Sequence, residues 1–144
     1  MKEINALVVD DLAEVRTIVK AVLKRMGAKG IYEATNGLEA LRILAEKDES
    51  GKPISQDINV ILCDINMPKM DGISFLREIR KGEEFNRVAI IMITGEGTKE
   101  KIVEAIKLGA DAFIVKPYTL KTVEDKITKV LERKGSGMIR PQEP

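Results

Sequence analysis

Five residues have the side chains and the spacing to do chemistry together: Asp10, Asp11, Asp64, Thr94 and Lys116. Each stands at the end of a short apolar run. Asp10 and Asp11 follow residues 4–9, Asp64 follows 58–63, Thr94 follows 88–93, and Lys116 follows 112–115. If those runs are parallel strands of one sheet, their ends share one edge, where open α/β sheets bind ligands. Three carboxylates, a hydroxyl and an ammonium then converge on one pocket. Three carboxylates repel one another and call for a cation. An all-oxygen donor set, with no Cys or His, suits a hard ion such as Mg²⁺. An aspartate carboxylate can also act as a nucleophile toward phosphorus. In phosphoryl transfer, Mg²⁺ and Lys116 would neutralise phosphoryl oxygens, and the Thr94 hydroxyl would donate to another.

The elements between these residues must position them. Apolar runs alternate with helical patterns along the chain. Residues 4–9, 31–34, 58–63, 88–93 and 112–115 read as strands. Helices are expected over 12–26, after Asn36-Gly37, after Asp71-Gly72, over 98–108 and over 119–133. The first helix places Leu12, Val15, Ile18, Val19, Val22, Leu23 and Met26 on one face. The second carries Leu38, Leu41, Ile43 and Leu44. The last turns Leu120, Val123, Ile127, Val130 and Leu131 inward. Strict β-α alternation predicts a doubly wound α/β fold: five parallel strands and about five helices on both faces. The second run ends in Thr35-Asn36-Gly37, with no chemical group, which suits an outer strand. Residues 46–57 are polar and contain Ser50, Gly51 and Pro53, so a surface loop is expected. One domain is expected over 1–134, with 135–144 a disordered tail.

Composition narrows the function classes. The chain has 144 residues, enough for one ordinary domain, and 44% are hydrophobic. Its net charge of +1 argues against direct nucleic-acid binding, which draws its affinity from a basic excess. There is no histidine, so His-based triads, His zinc sites and phosphohistidine carriers are excluded. The single cysteine, Cys63, allows no internal disulfide and reads as a small core residue. No apolar stretch reaches the roughly 18 residues of a membrane helix, and the amino terminus lacks a signal-peptide layout. A soluble, cytoplasmic protein without membrane insertion is expected.

The same residues carry a family resemblance. Asp10-Asp11, the run from Asp64-Ile-Asn-Met-Pro through Asp71-Gly72, Ile93-Thr94-Gly95, and Lys116-Pro117 resemble the motifs of two-component response-regulator receiver domains. The likeness spans roughly residues 4–133. It implies a CheY-like, flavodoxin-like fold with strand order 2-1-3-4-5. It implies that Asp64 is the phosphoacceptor and that Mg²⁺ sits on Asp10, Asp11, Asp64 and the Asn66 backbone carbonyl. Lys116 and Thr94 would contact the phosphoryl group, and the Lys116-Pro117 bond would be cis. Asn66 and Glu96 would tune the lifetime of the phosphoform, and being polar they favour a short one. Thr94 and Phe113 would be the switch pair, altering the face formed by helix 98–108, the fifth strand and helix 119–133. That face carries Lys99, Lys101, Glu104, Lys107, Lys121 and Lys126, which suit an acidic or amphipathic partner. The implied partners are a sensor histidine kinase or histidine phosphotransfer protein, and a downstream target protein. The chain would be a monomer or a phosphorylation-dependent dimer, catalysing only its own phosphorylation and dephosphorylation. A phosphorelay intermediate is the alternative. The loop 46–57 is longer than the family pattern.

Blander readings exist for each residue alone. Asp10-Asp11 could cap the first helix. Asp71-Gly72 reads mainly as a helix cap and tight turn. Two other functions fit these residues less well. A haloacid-dehalogenase-type hydrolase wants an acid two residues after its nucleophile, and Asn66 is an amide. A flavin carrier wants a hydroxyl-rich phosphate loop after the first strand, where Asp10-Asp11 would repel phosphate.

Overall fold

The computed structural model describes residues 3–95 and 98–135. Five strands alternate with five helices: β1 (Asn5–Val9), α1 (Ala13–Arg25), β2 (Gly30–Ala34), α2 (Gly37–Ala45), β3 (Val60–Cys63), α3 (Gly72–Ile79), β4 (Ala89–Thr94), α4 (Lys99–Lys107), β5 (Ala112–Val115) and α5 (Leu120–Gly135). All strand pairs are parallel, in the order β2-β1-β3-β4-β5. The register aligns Val9 with Cys63, Cys63 with Met92, and Thr94 with Val115, so the strand ends do share one edge.

Strand alternation divides the core between the two faces. Leu7, Val9, Ile61, Cys63, Ile90 and Met92 face α2, α3 and α4, where Ala40, Leu44, Phe75, Leu76, Ile79 and Ala105 close over them. Ala6, Val8, Val60, Leu62, Ile91 and Ile93 face α1 and α5, against Val19, Val22, Leu23, Val123, Ile127 and Val130. Every residue of β3 and β4 is buried, as central parallel strands require. β2 lies at an edge, with Glu33 exposed and Tyr32 open to solvent.

Several expectations need correction. Leu12, Ile18, Leu38 and Leu120 are exposed. Leu12 has extended backbone and precedes α1, so it escapes the helical period. Leu38 and Leu120 sit in first turns, where the helix has not yet closed on the sheet. Ile18 lies on the shoulder of the stripe, one residue before buried Val19. The loop 46–57 is structured rather than plain. Lys47 and Pro53 form an antiparallel bridge, Ile54–Gln56 is a 3₁₀ turn, and Ile54 plugs into the core. Asp48 pins the turn, accepting from Ser50 N, Ser50 Oγ and Lys52 N. Those bonds, the Ser50 hydroxyl first, hold its carboxyl below the usual range. α5 runs to Gly135, past the expected end at 133. Its Lys134 is buried. The expected tail otherwise falls on 136–144, outside the described residues.

At the amino-terminal end of β5, a buried ionic cluster surrounds Asp111. Its side chain is fully enclosed, and Arg80, Lys134 and Arg133 lie 3.0, 3.1 and 3.7 Å away. Arg80 also donates to the carbonyls of Gly109, Phe85 and Val88, and Lys134 to that of Asn86. Ile90 N donates to Asp111 Oδ2. The cluster ties the loop after α3 and the end of α5 to the sheet. Nothing in the local sequence marks it, because its members are far apart in the chain.

Candidate functional site

The carboxyl-terminal edge brings the expected groups together. β1 ends at Val9, so Asp10 and Asp11 emerge directly above the sheet. Asp10 is buried, and its Oδ1 accepts from Leu12 N at 2.9 Å. Asp11 is exposed. Neither aspartate is the N-cap of α1; that position is Leu12, which makes no side-chain cap. The cap alternative therefore reduces to one amide held by Asp10 in the entry to the helix. β3 ends at Cys63, so Asp64 emerges beside Asp10 and is also buried. One carboxylate oxygen from each of Asp10, Asp11 and Asp64 lies within 4.8 Å of the others. Cys63 is buried beneath, a core residue as expected, and burial pushes its thiol well up.

Electrostatics follow from this crowding. Burial, above all, raises the carboxyl of Asp64; the Lys116 charge and the amides of Ile65 and Asn66 pull it partly back. Burial also raises Asp10, opposed by the Leu12 amide and aggravated by the charge of Asp64. A carboxylate desolvated among carboxylates favours whatever neutralises it. The donor set fits a hard divalent cation: three carboxylates that can approach one point, with no soft ligand among them.

Thr94 is the last residue of β4 and is buried. Lys116 follows β5 and is half-buried, with its amide donating to the Thr94 carbonyl at 2.8 Å. The Lys116-Pro117 bond is cis. By alternation, Thr94 shares a face with Met92, and Phe113 pairs with Met92 on the next strand. Phe113 is half-buried against that face's core, on the side of α4. Asn66 is exposed beyond the mouth of the site. Glu96, the other expected lifetime residue, lies outside the described residues.

The loop from Asp64 to Asp71 is held by close backbone approach. Gly72 N donates to the Ile65 carbonyl, and a Cβ on Gly72 would sit 2.0 Å from the Asp64 carbonyl oxygen. Only glycine fits there. Asp71 caps α3 by accepting from Ser74 N at 2.7 Å, so Asp71-Gly72 is a cap and turn, as expected. Gly37 N reaches the Met70 carbonyl and fastens the loop to α2.

Three neighbours were not singled out from the sequence. Arg16 donates to the Asp10 carbonyl at 2.6 Å and to Glu33 at 3.1 Å, so α1, β1 and β2 are linked behind the acidic pair. Tyr118 is half-buried near the site, and burial, then the charges of Asp10 and Asp64, raise its phenol. Lys101, expected as an open charge on α4, is half-buried and donates to Asn66 Oδ1 at 3.2 Å. A motif order cannot show such contacts, since they depend on how α1 and α4 are rotated.

Comparison with known proteins shows the family. Residues 6–128 match the response regulator receiver domain family model. The chain is 38% identical over 132 residues to chemotaxis protein CheY-3 of Vibrio cholerae, covering 92% of this chain and 95% of that protein. It is 36% identical over 131 residues to a chemotaxis protein CheY homolog of Campylobacter jejuni, covering 91% and 94%. Among solved structures, chemotaxis response regulator CheY4 of Vibrio cholerae superposes with a TM-score of 0.74 at 30% identity, over 90% of this chain and all of that one. A CheY-like receiver domain protein of Methanospirillum hungatei gives 0.80 at 26%, over 94% and 98%. The chain belongs to the response-regulator receiver family, with the CheY-like fold and a role in two-component signalling. Among the described residues, no helix is long and apolar enough to cross a membrane.

Proposed function

We propose that this chain is a phosphorylation-activated switch whose acceptor is Asp64. The observation that carries this reading is the acidic trio at the strand ends, with Asp64 buried and within the field of Lys116. The Asp10, Asp11 and Asp64 carboxylates and the Asn66 backbone carbonyl would hold Mg²⁺. When bound, the ion supplies positive charge to the phosphoryl oxygens. The Asp64 carboxylate oxygen attacks phosphorus, forming a P–O bond as the donor's P–N bond breaks and the imidazole leaves with the bonding pair. A sensor histidine kinase or a histidine phosphotransfer protein is the donor. Lys116 would neutralise a phosphoryl oxygen with its positive charge, and the Thr94 hydroxyl would donate to another. Hydrolysis of the acyl phosphate by water returns the switch to rest, so the chain processes no separate substrate. Its place is the cytoplasm, where such donors are made from ATP.

The output follows from Thr94 and Phe113. A phosphoryl group on Asp64 draws the Thr94 hydroxyl inward and opens space toward half-buried Phe113. The face formed by α4, β5 and α5 then changes for a downstream protein. Its exposed lysines, Lys99, Lys107, Lys121 and Lys126, suit an acidic segment. The test is uptake of one phosphoryl group from acetyl phosphate with Mg²⁺, read by intact mass. Asp64→Asn should abolish it, and full labelling of that variant would refute the assignment. Asp11→Ala should weaken Mg²⁺ binding and slow uptake without unfolding the chain.

A further inference from the structure

α4 is the helix most lightly held to the core. Of its nine residues only Ala105 is buried, and Val103 and Ile106 face solvent. Its side-chain ties toward α3 and the site are polar and exposed. Arg77 of α3 meets Glu104 at 3.4 Å, and Lys101 in the second turn donates to Asn66 Oδ1 at 3.2 Å. Asn66 stands two residues after Asp64, and the Asn66 amide N–H itself supports the Asp64 carboxylate. The Lys101 bond therefore runs from the outer helix to a residue that touches the reacting carboxylate.

The bond also sets the direction of the Asn66 side chain. An ammonium can only donate, so it selects the carbonyl end of the amide. Nδ2 is then the end turned away from Lys101, and it is a donor. A donor beside the acyl phosphate supports a phosphoryl oxygen. The carbonyl end, if it faced inward, would instead accept a proton from water and align that water for attack on phosphorus. We propose that Lys101 is a positioning residue: it holds Asn66 with its donor end toward the site, and so ties the lifetime of the phosphoform to the placement of α4. A partner that displaces α4 would release the amide and shorten the signal. This proposal rests on the phosphoacceptor reading of Asp64.

Two measurements test it. In the unphosphorylated protein, the side-chain amide signals of Asn66 in ¹⁵N spectra should shift in Lys101→Met and return in Lys101→Arg, which restores a cationic donor. Unchanged signals in the Met variant would show that the tie does not exist and overturn the proposal. In the second measurement, each variant is phosphorylated with acetyl phosphate and Mg²⁺, the donor is removed, and loss of label is followed. Lys101→Met should decay faster by roughly two- to fivefold, the range an exposed polar pair controls, and Lys101→Arg should match the parent. In an Asn66→Ala background, Lys101→Met should change nothing further. Equal decay of Lys101→Met and parent, or an undiminished effect in the Asn66→Ala background, would overturn the role of Lys101 and leave the function standing. No uptake by the parent chain would overturn the function and this role together.

Discussion

The two ends of the sheet carry opposite kinds of charged cluster. At the carboxyl-terminal edge, the three carboxylates of Asp10, Asp11 and Asp64 crowd together within the field of Lys116. At the amino-terminal edge, the single carboxylate of Asp111 is enclosed by Arg80, Arg133 and Lys134. The second cluster is largely answered from within. Backbone carbonyls of residues 85, 86, 88, 109 and 111 accept further N–H groups of Arg80, Arg133 and Lys134. In the first, the amides of Leu12 and Ile65 donate to Asp10 and Asp64, yet burial still raises both carboxyls, and like charges crowd one point. A saturated cluster locks a fold, whereas an unsaturated one stores an affinity for an incoming cation and phosphoryl group. Position in the sheet separates the roles, and the number of charged residues does not.

The sharpest way to test this contrast is to break the saturated end. Asp111→Ala would leave Arg80, whose side chain is 3% exposed, without its carboxylate. A loss of about 3–5 kcal/mol in urea unfolding is expected, because a buried charge loses its partner. Mg²⁺ binding at the far edge should persist in whatever fraction stays folded. A loss below about 1 kcal/mol would mean that the carbonyls alone satisfy the cations.

The site end should fail through its backbone before it fails through its charges. Gly72→Ala forces a methyl group against the Asp64 carbonyl oxygen, so the loop must move. About 3 kcal/mol of stability should be lost, together with phosphoryl uptake. A variant with normal stability and uptake would show that the loop adjusts freely.

Removing charge from the unsaturated end should have the reverse sign. The Asp10 and Asp64 carboxyls are raised in the folded chain, so the folded state holds their protons more tightly than the unfolded state. Their stabilising contribution is full below the ordinary aspartate range. It is lost as pH rises through the raised folded values. In EDTA at neutral pH, Asp64→Asn should therefore raise the urea midpoint, by less than Asp111→Ala lowers it. The gain should fade as pH is lowered through the carboxylate range. A lowered midpoint at neutral pH would mean that these carboxylates are already compensated.

The smallest effect belongs to the exposed pairs. Arg77→Ala removes the contact with Glu104 and should cost no more than about 0.5 kcal/mol in the same unfolding series. A larger loss would place α4 under firmer hold than its single buried residue suggests.

How much of this was legible beforehand depends on the range of the interaction. Strand and helix order followed from local apolar period, and chain connectivity alone puts the ends of parallel strands on one edge. That is why Asp10, Asp11, Asp64, Thr94 and Lys116 could be grouped before any coordinates, and why Asp71 and Gly72 read correctly as cap and turn. The family motifs added the cis bond at Lys116-Pro117 and the strand order. Tertiary structure alone decided the rest. The burial of Lys134 and the company of Asp111 depend on residues 80, 111 and 133 meeting across three elements. The exposure of Ile18 and the reach of Lys101 to Asn66 depend on helix rotation, which a 3.6-residue period specifies only to about one position. Local pattern determines what a segment becomes and which end of the sheet it feeds. The packing of one segment on another determines which charges are answered and which are left to bind.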